Sequence, residues 1–367
     1  MNWLSSVYRT YLLPAFVIQS VLLAGGFGTG REIVEYFSSN GALGALLGLG
    51  FAFVIFSLVI SMTFLLAQRY SLYNYQDFFQ KLIGRYSVIY EVVYVLTLVL
   101  VMSIVGSAAG SLLEEMFSLP YYLGIFSLYA VVCALSCLGV ESVNRFLTVS
   151  TLTVYLVIIV VIVTMFLQYN TQILGKLLVF DVKPGWLLDS SEFALYNLAA
   201  IPGLLYCARG IKKPAQAVYA GITVGAVIVL PGVMLHLVLL SGPSDVFQQR
   251  LPVLWILERG DHQYLLIAYV LMLALTFCAT IIGLMQGLLT RINKRFESQG
   301  INSASAVRSA LVSLSTIMVS LALSSVGLID LIAKGYPILA YSILAVYVLP
   351  MLFHWLLHRP LHRLLQS

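Results

Sequence analysis

The stretch AGGFGTGREIVEYF, Ala24 to Phe37, places Gly25, Gly26, Gly28 and Gly30 within six residues and follows them at once with Arg31 and Glu32. It continues YLLPAFVIQSVLLA, Tyr11 to Ala24, an apolar run of the kind that begins a membrane-crossing helix. Hydrocarbon offers no hydrogen-bond partner, so every backbone N–H and C=O at that depth needs one from the protein. Weak helix formers and then an ion pair in the middle of such a helix predict an interruption. Gly26 and Gly30 also form a GxxxG pair, which can mark nothing more than close helix packing. Four glycines exceed what a packing face needs. Moreover, a straight helix from Tyr11 to Phe37 would span ~40 Å, longer than the hydrocarbon core.

Composition sets the class. The chain is 60% hydrophobic and 10% charged, with mean hydropathy +0.97, far from the roughly 25% charged of soluble proteins. Continuous apolar runs recur along its length, which predicts an all-α integral membrane protein and excludes the alternating segments of a β-barrel. The net charge of +5 is dispersed among short loops, so no nucleic-acid partner is expected. Cys133, Cys137, Cys207 and Cys278 lie in apolar segments without zinc-site spacing, and read as packing residues. Although the first residues resemble a signal peptide, Pro14 and Gln19 interrupt the run, and retention as the first helix is expected.

Ten spans are predicted near 11–38, 41–68, 87–117, 120–138, 142–168, 190–208, 215–240, 263–290, 305–325 and 329–356. Residues 69–86, rich in Tyr and Phe, are expected at the membrane interface. With the N-terminus inside, Lys176, Lys183, Arg250, Arg259 and Lys334 fall outside. Apart from Arg31, the other fourteen of the twenty basic residues fall inside. Positive charge marks the cytoplasmic side, so both termini are expected there, in a plasma (inner) membrane. The sixth span, SSEFALYNLAAIPGLLYCARG, carries Pro202 and Gly203 in its middle and should open near Ala199–Gly203. Spans two and seven begin 174 residues apart, and spans three and eight 176 apart. A five-span repeat re-enters the membrane from the opposite side. The expected organisation is a 5+5 inverted repeat with helices 1 and 6 interrupted: residues 1–168, an extracellular linker at 169–189, and residues 190–367. Paired interruptions in inverted halves point to the binding site of a secondary transporter.

The string GGFGTGREIVEYF, the ten-span profile and YNLAAIPG in the sixth span together resemble the YkvI-like amino-acid permease family. That family is a branch of the amino acid–polyamine–organocation superfamily, similar to proteins of the LeuT fold. The resemblance covers essentially the whole chain and implies a central site made by spans one, three, six and eight.

Candidate substrate-binding residues are Gly25, Gly26, Gly28, Thr29 and Gly30 in the first break, Ser103 and Ser107 in span three, and Tyr196, Asn197 and Ala200 in span six. Thr29 reads equally as a backbone cap, and Asn197 as a helix-to-helix bond. Arg31 and Glu32 are candidates for gating or coupling, against a structural role in which Arg31 pairs with Glu35. The sodium-coupled members of the fold imply a Na⁺ site between the first break and span eight. Thr276 and Thr280, one turn apart on one face, and Gly25 are its candidate ligands. Proton coupling through Glu32 is the alternative, although span five lacks the lysine that proton-coupled relatives often place in the vacated site. Glu91, His236 and the Asp330–Lys334 pair read as structural, and His354, His358 and His362 as a basic tail at the headgroups. The function expected is alternating-access transport of a small amino acid or related amine, without a cofactor beyond a coupling ion. A non-transporting sensor or channel on the same fold is the other class, and an intramembrane enzyme is disfavoured because His236 has no carboxylate near it in sequence.

Overall fold

The computed structural model describes residues 6–23, 25–136, 140–260, 263–298 and 305–358, which are helical almost throughout. A π turn at Tyr8–Leu12 leads into α1 (Leu13–Leu22), and after a break the chain resumes as α2 (Arg31–Tyr36). There follow α3 (Ala42–Tyr70), the short amphipathic α4 (Tyr75–Ile83), α5 (Ser87–Phe117), α6 (Tyr121–Ser136) and α7 (Val140–Leu178). Next come α8 (Trp186–Leu198), a 3-10 segment Ile201–Gly210, α9 (Pro214–Ser241) and α10 (Pro252–Glu258). The described chain closes with α11 (Gln263–Ser298), α12 (Ser305–Ser324) and α13 (Leu328–Leu356), the last containing two π turns. Among the described residues, six stretches are long and apolar enough to cross a membrane, in α3, α4–α5, α7, α9, α11 and α13. The shorter α6 and α12 are also apolar.

Small residues decide how closely these helices pack. Lipid tails are as apolar as leucine, so helices associate through van der Waals contact, and small side chains let backbones approach. Gly221 and Gly225 of α9 face Ser61 and Ser57 of α3, where a Cβ on Gly225 would come within 2.5 Å of Ser57 Oγ. The Ser61 hydroxyl crosses the same seam to the Val218 carbonyl at 3.1 Å. Gly110 and Gly124 join α5 to α6 in the same way: a Cβ on Gly124 would lie 2.8 Å from Gly110 Cα.

Two expected boundaries shift. The supposed linker at 169–189 is helical through Leu178, with one non-helical residue at Tyr169, and α8 begins at Trp186. Its irregular part docks on the start of α3, where Gly44 N–H donates to Asp181 O and Lys183 N–H to Asn40 O. Within the polar segment 69–86, α4 does not leave its aromatic rings in the lipid interface either, whereas Tyr86 stays exposed. Phe78 and Phe79 of α4 are fully buried, and Phe79 stacks on Tyr90 at 3.7 Å. The helix turns its apolar face to the protein, as its marked amphipathicity favours.

Both expected interruptions are present. α1 stops at Leu22. Gly25–Gly28 keep a single helical turn rather than unwinding fully, and the chain turns through Gly30 at φ 83° before α2. In the second case α8 ends at Leu198, and Pro202 falls at the start of the 3-10 segment, where its missing N–H costs nothing.

Gly30 combines a left-handed φ with contact, since a Cβ there would lie 2.7 Å from Val253 Cγ2. Gly30→Ala is expected to destabilise the protein by roughly 1–3 kcal/mol. Gly50→Ala, where a Cβ meets nothing within 4 Å, is expected to be neutral or slightly stabilising. Denaturant unfolding of the detergent-solubilised variants measures the difference.

Candidate functional site

The two breaks expose backbone carbonyls that no longer have a helical partner, and tyrosines from neighbouring helices take them. Tyr269 of α11 donates its hydroxyl to Gly28 O in the first break. Tyr90 of α5 donates to Ala199 O in the second, at 2.8 Å. Both tyrosines are fully buried. Neither was singled out in the sequence. A tyrosine in an apolar run carries no pattern that says its hydroxyl reaches another helix's break.

Glu32, at the start of α2, is the charged residue at the centre. It is 1% exposed, and its carboxylate turns back across the break so that a Cβ on Gly26 would collide with Oε1. Tyr196 of α8 donates to Glu32 Oε2, and Tyr336 of α13 donates to Oε1 at 3.2 Å. The two rings stack with centroids 3.8 Å apart and an interplanar angle of 7°. Tyr36 completes the aromatic wall, 5.7 Å from Tyr196, with its hydroxyl on Ile332 O. Glu32 is therefore enclosed by protein from three separate helices rather than set in an open vestibule.

Arg31 points elsewhere. Its Nη2 pairs with Glu35 at 2.6 Å, the i, i+4 partner expected from sequence. Its Nη1 donates to Phe247 O at 2.7 Å and to Gln249 O at 3.3 Å. The guanidinium thus ties α2 to the loop before α10. Thr29 takes the capping role: its hydroxyl donates to Gly26 O at 2.9 Å and accepts from Arg31 N at 3.3 Å.

The remaining candidates divide. Asn197 donates to Phe193 O within its own helix, and Ala200 is half-buried at the second break and accepts from Gly203 N–H. Ser103 and Ser107 do not reach the breaks. Ser103 donates to Val99 O while its own carbonyl accepts from Ser324 of α12, and Ser107 accepts from Tyr121 of α6. They form a seam for helix packing. Glu91 is held by Tyr75 and Gln76 of α4, and His236 sits between Ser38 Oγ and Ala42 O. Asp330 and Lys334 pair at 2.6 Å. His362 lies outside the described residues.

A second polar cluster lies beside the first break. A void of about 10 Å³ is lined by Ser20, Leu23, Ser150, Val154, Thr276 and Ala279, room for about one water-sized occupant. Ser150, which lines it, and Thr280, which does not, are buried, and their hydroxyls have no hydrogen-bond partner. Thr276 bonds Met272 O on its own helix at 2.8 Å. Ser150 of α7 is a site residue of which a serine in an apolar run gives no sign. Gly25 lies in the one-turn helix next to the void and does not line it.

The carbonyl bonds generate a test. Tyr90→Phe and Tyr269→Phe leave Ala199 O and Gly28 O buried without their partners, and each is expected to cost about 1 kcal/mol. Tyr264→Phe, at a position 92% exposed, is expected to leave stability unchanged. Denaturant midpoints of the three variants decide it.

No protein-family model matches the chain. Over 341 residues it is 25% identical to YkvI, an uncharacterized membrane protein of Bacillus subtilis (strain 168), covering 90% of this chain and 92% of that one. Its fold is similar to that of a manganese transporter of Eremococcus coleocola, known from the crystal structure of a point mutant. The TM-score is 0.55 at 15% identity, over 96% of this chain and 80% of that one. The chain is similar in sequence to YkvI along nearly its whole length and shares its fold with that membrane transporter.

Proposed function

We propose that this protein is a secondary transporter that moves a small amino acid or related amine across the plasma (inner) membrane by alternating access. In this reading ten spans form a 5+5 inverted repeat, with both termini cytoplasmic. One observation carries it. Tyr269 of α11 holds the break before α2, and Tyr90 of α5 holds the break after α8. Counted as spans, the eighth serves the first and the third serves the sixth, which is the exchange an inverted repeat makes. The freed backbone at each break is thus held at one central place, where a cargo can be bound from either side. Arg31, clamped to the loop before α10, acts as the outer tie that must release on opening.

Na⁺ is the proposed coupling ion, bound at the void beside the first break. Ser150 and Thr276 line that void, and Thr280, one turn beyond Thr276 on α11, carries a second unpaired hydroxyl; these hard oxygens without a carboxylate suit a monovalent cation. Manganese, the cargo for which the structural neighbour is named, fits less well. Among the described residues no three His, Cys, Asp or Glu side chains cluster, and a divalent ion favours several hard ligands.

Purified protein in proteoliposomes, loaded with candidate amino acids and amines, is expected to give saturable counterflow that falls at least tenfold when choline replaces Na⁺. Thr280→Ala is expected to raise the Na⁺ concentration needed for half-maximal uptake about tenfold, the effect of roughly 1.4 kcal/mol. Flux that ignores Na⁺ but follows a proton gradient moves the coupling to Glu32. Binding without flux identifies a sensor.

A further inference from the structure

In a carrier of this build, an amino-acid substrate places its carboxylate against the free donors of an interrupted helix. Here the chain's own carboxylate stands there. Glu32 folds back over Gly26, one oxygen taken by Tyr196 and the other by Tyr336. A second carboxylate brought to this point meets a like charge in a low-dielectric surround, which disfavours it.

Glu32 also lacks a positive partner. The guanidinium of Arg31 is committed to Glu35 and to two carbonyls, and no ion pair to Glu32 occurs among the described residues. A buried carboxylate without a counter-charge is costly, and an intramembrane one is a functional group by default. Its surroundings are aromatic: the stacked Tyr196 and Tyr336, with Tyr36 and Phe193 each 5.7 Å from Tyr196. Ring faces attract ammonium groups, most strongly where water is excluded.

We infer that the cargo of this site is a small organic ammonium ion without a carboxylate, with Glu32 as its counter-charge and the tyrosine rings as its walls. The inference rests on the carrier reading above and narrows its substrate class from amino acid or amine to amine. Gly26 is then the position that gives the Glu32 carboxylate room to meet the cargo at the break.

The test compares matched pairs on the full-length protein in detergent: ethylamine with alanine, 3-methylbutylamine with leucine, agmatine with arginine, and tetramethylammonium and MnCl₂ alone. A ligand of the folded state raises the unfolding temperature. At least one amine is expected to bind at least tenfold more tightly than its amino acid, and Glu32→Gln is expected to lose that binding at least tenfold. Tyr196→Phe, which keeps the ring and removes one donor, is expected to retain the preference for the amine. Should Glu32→Gln not fold, Glu32→Asp, which sets the charge one methylene back, takes its place and is expected to weaken the amine selectively. Equal or tighter binding of the amino acid overturns the inference. So does a stabilisation by Mn²⁺ that matches the amines, no response to any amine, or a folded Glu32→Gln that binds the amine as the native protein does. Flux separates this from the carrier reading. Amine binding without counterflow removes the carrier and keeps the site, whereas amino-acid counterflow without amine binding keeps the carrier and removes the site.

Discussion

An interrupted helix in hydrocarbon survives only if other parts of the protein satisfy the backbone groups it frees. That constraint shapes the centre of this molecule. The Gly28 and Ala199 carbonyls are taken by tyrosines from α11 and α5, and the Thr29 hydroxyl returns to Gly26. Tyrosine suits the task because it brings a hydroxyl several ångströms from its own backbone on a large apolar ring. Each bond therefore fixes a break and packs two helices at once.

The same enclosure accounts for Glu32. A carboxylate at this depth would ordinarily face water or an arginine. Arg31, one residue earlier, instead reaches the opposite way to Glu35 and the loop before α10. On a helix, neighbouring residues point about 100° apart, so Arg31 and Glu32 cannot share a direction. The pair thus divides into a tie to the loop before α10 and a lone carboxyl group at the breaks. Around that group Tyr196 and Tyr336 join α8 to α13 through their stacked faces.

Away from the centre, small residues do a different job from the one their polarity suggests. Ser103, Ser107 and Gly106 look like a polar patch in an apolar helix. In the fold they let α12 and α6 approach α5, the Ser103 hydroxyl donating to Val99 O and the Ser107 hydroxyl accepting from Tyr121. Serine pairs so readily with a carbonyl on its own or an adjacent helix that its presence in a span is weak evidence of a pocket. Ser150 and Thr280 differ because they find no such partner. That distinction is a property of neighbours, and a single helix does not contain it.

Hydropathy, the glycine cluster and Pro202–Gly203 were enough to read a helical membrane protein with two interruptions, because each depends only on local backbone chemistry and solvent. The Arg31–Glu35 pair was legible for the same reason, being four residues apart on one turn of helix. Tertiary structure alone decided that Tyr90 and Tyr269 close the breaks, that α4 buries its rings, and that Ser150 joins Thr276 at one void. It also decided that Glu32 meets Tyr196 and Tyr336, residues far along the chain. Periodicity records which face a side chain takes on its own helix. Which helix stands opposite is set by the packing of all of them together.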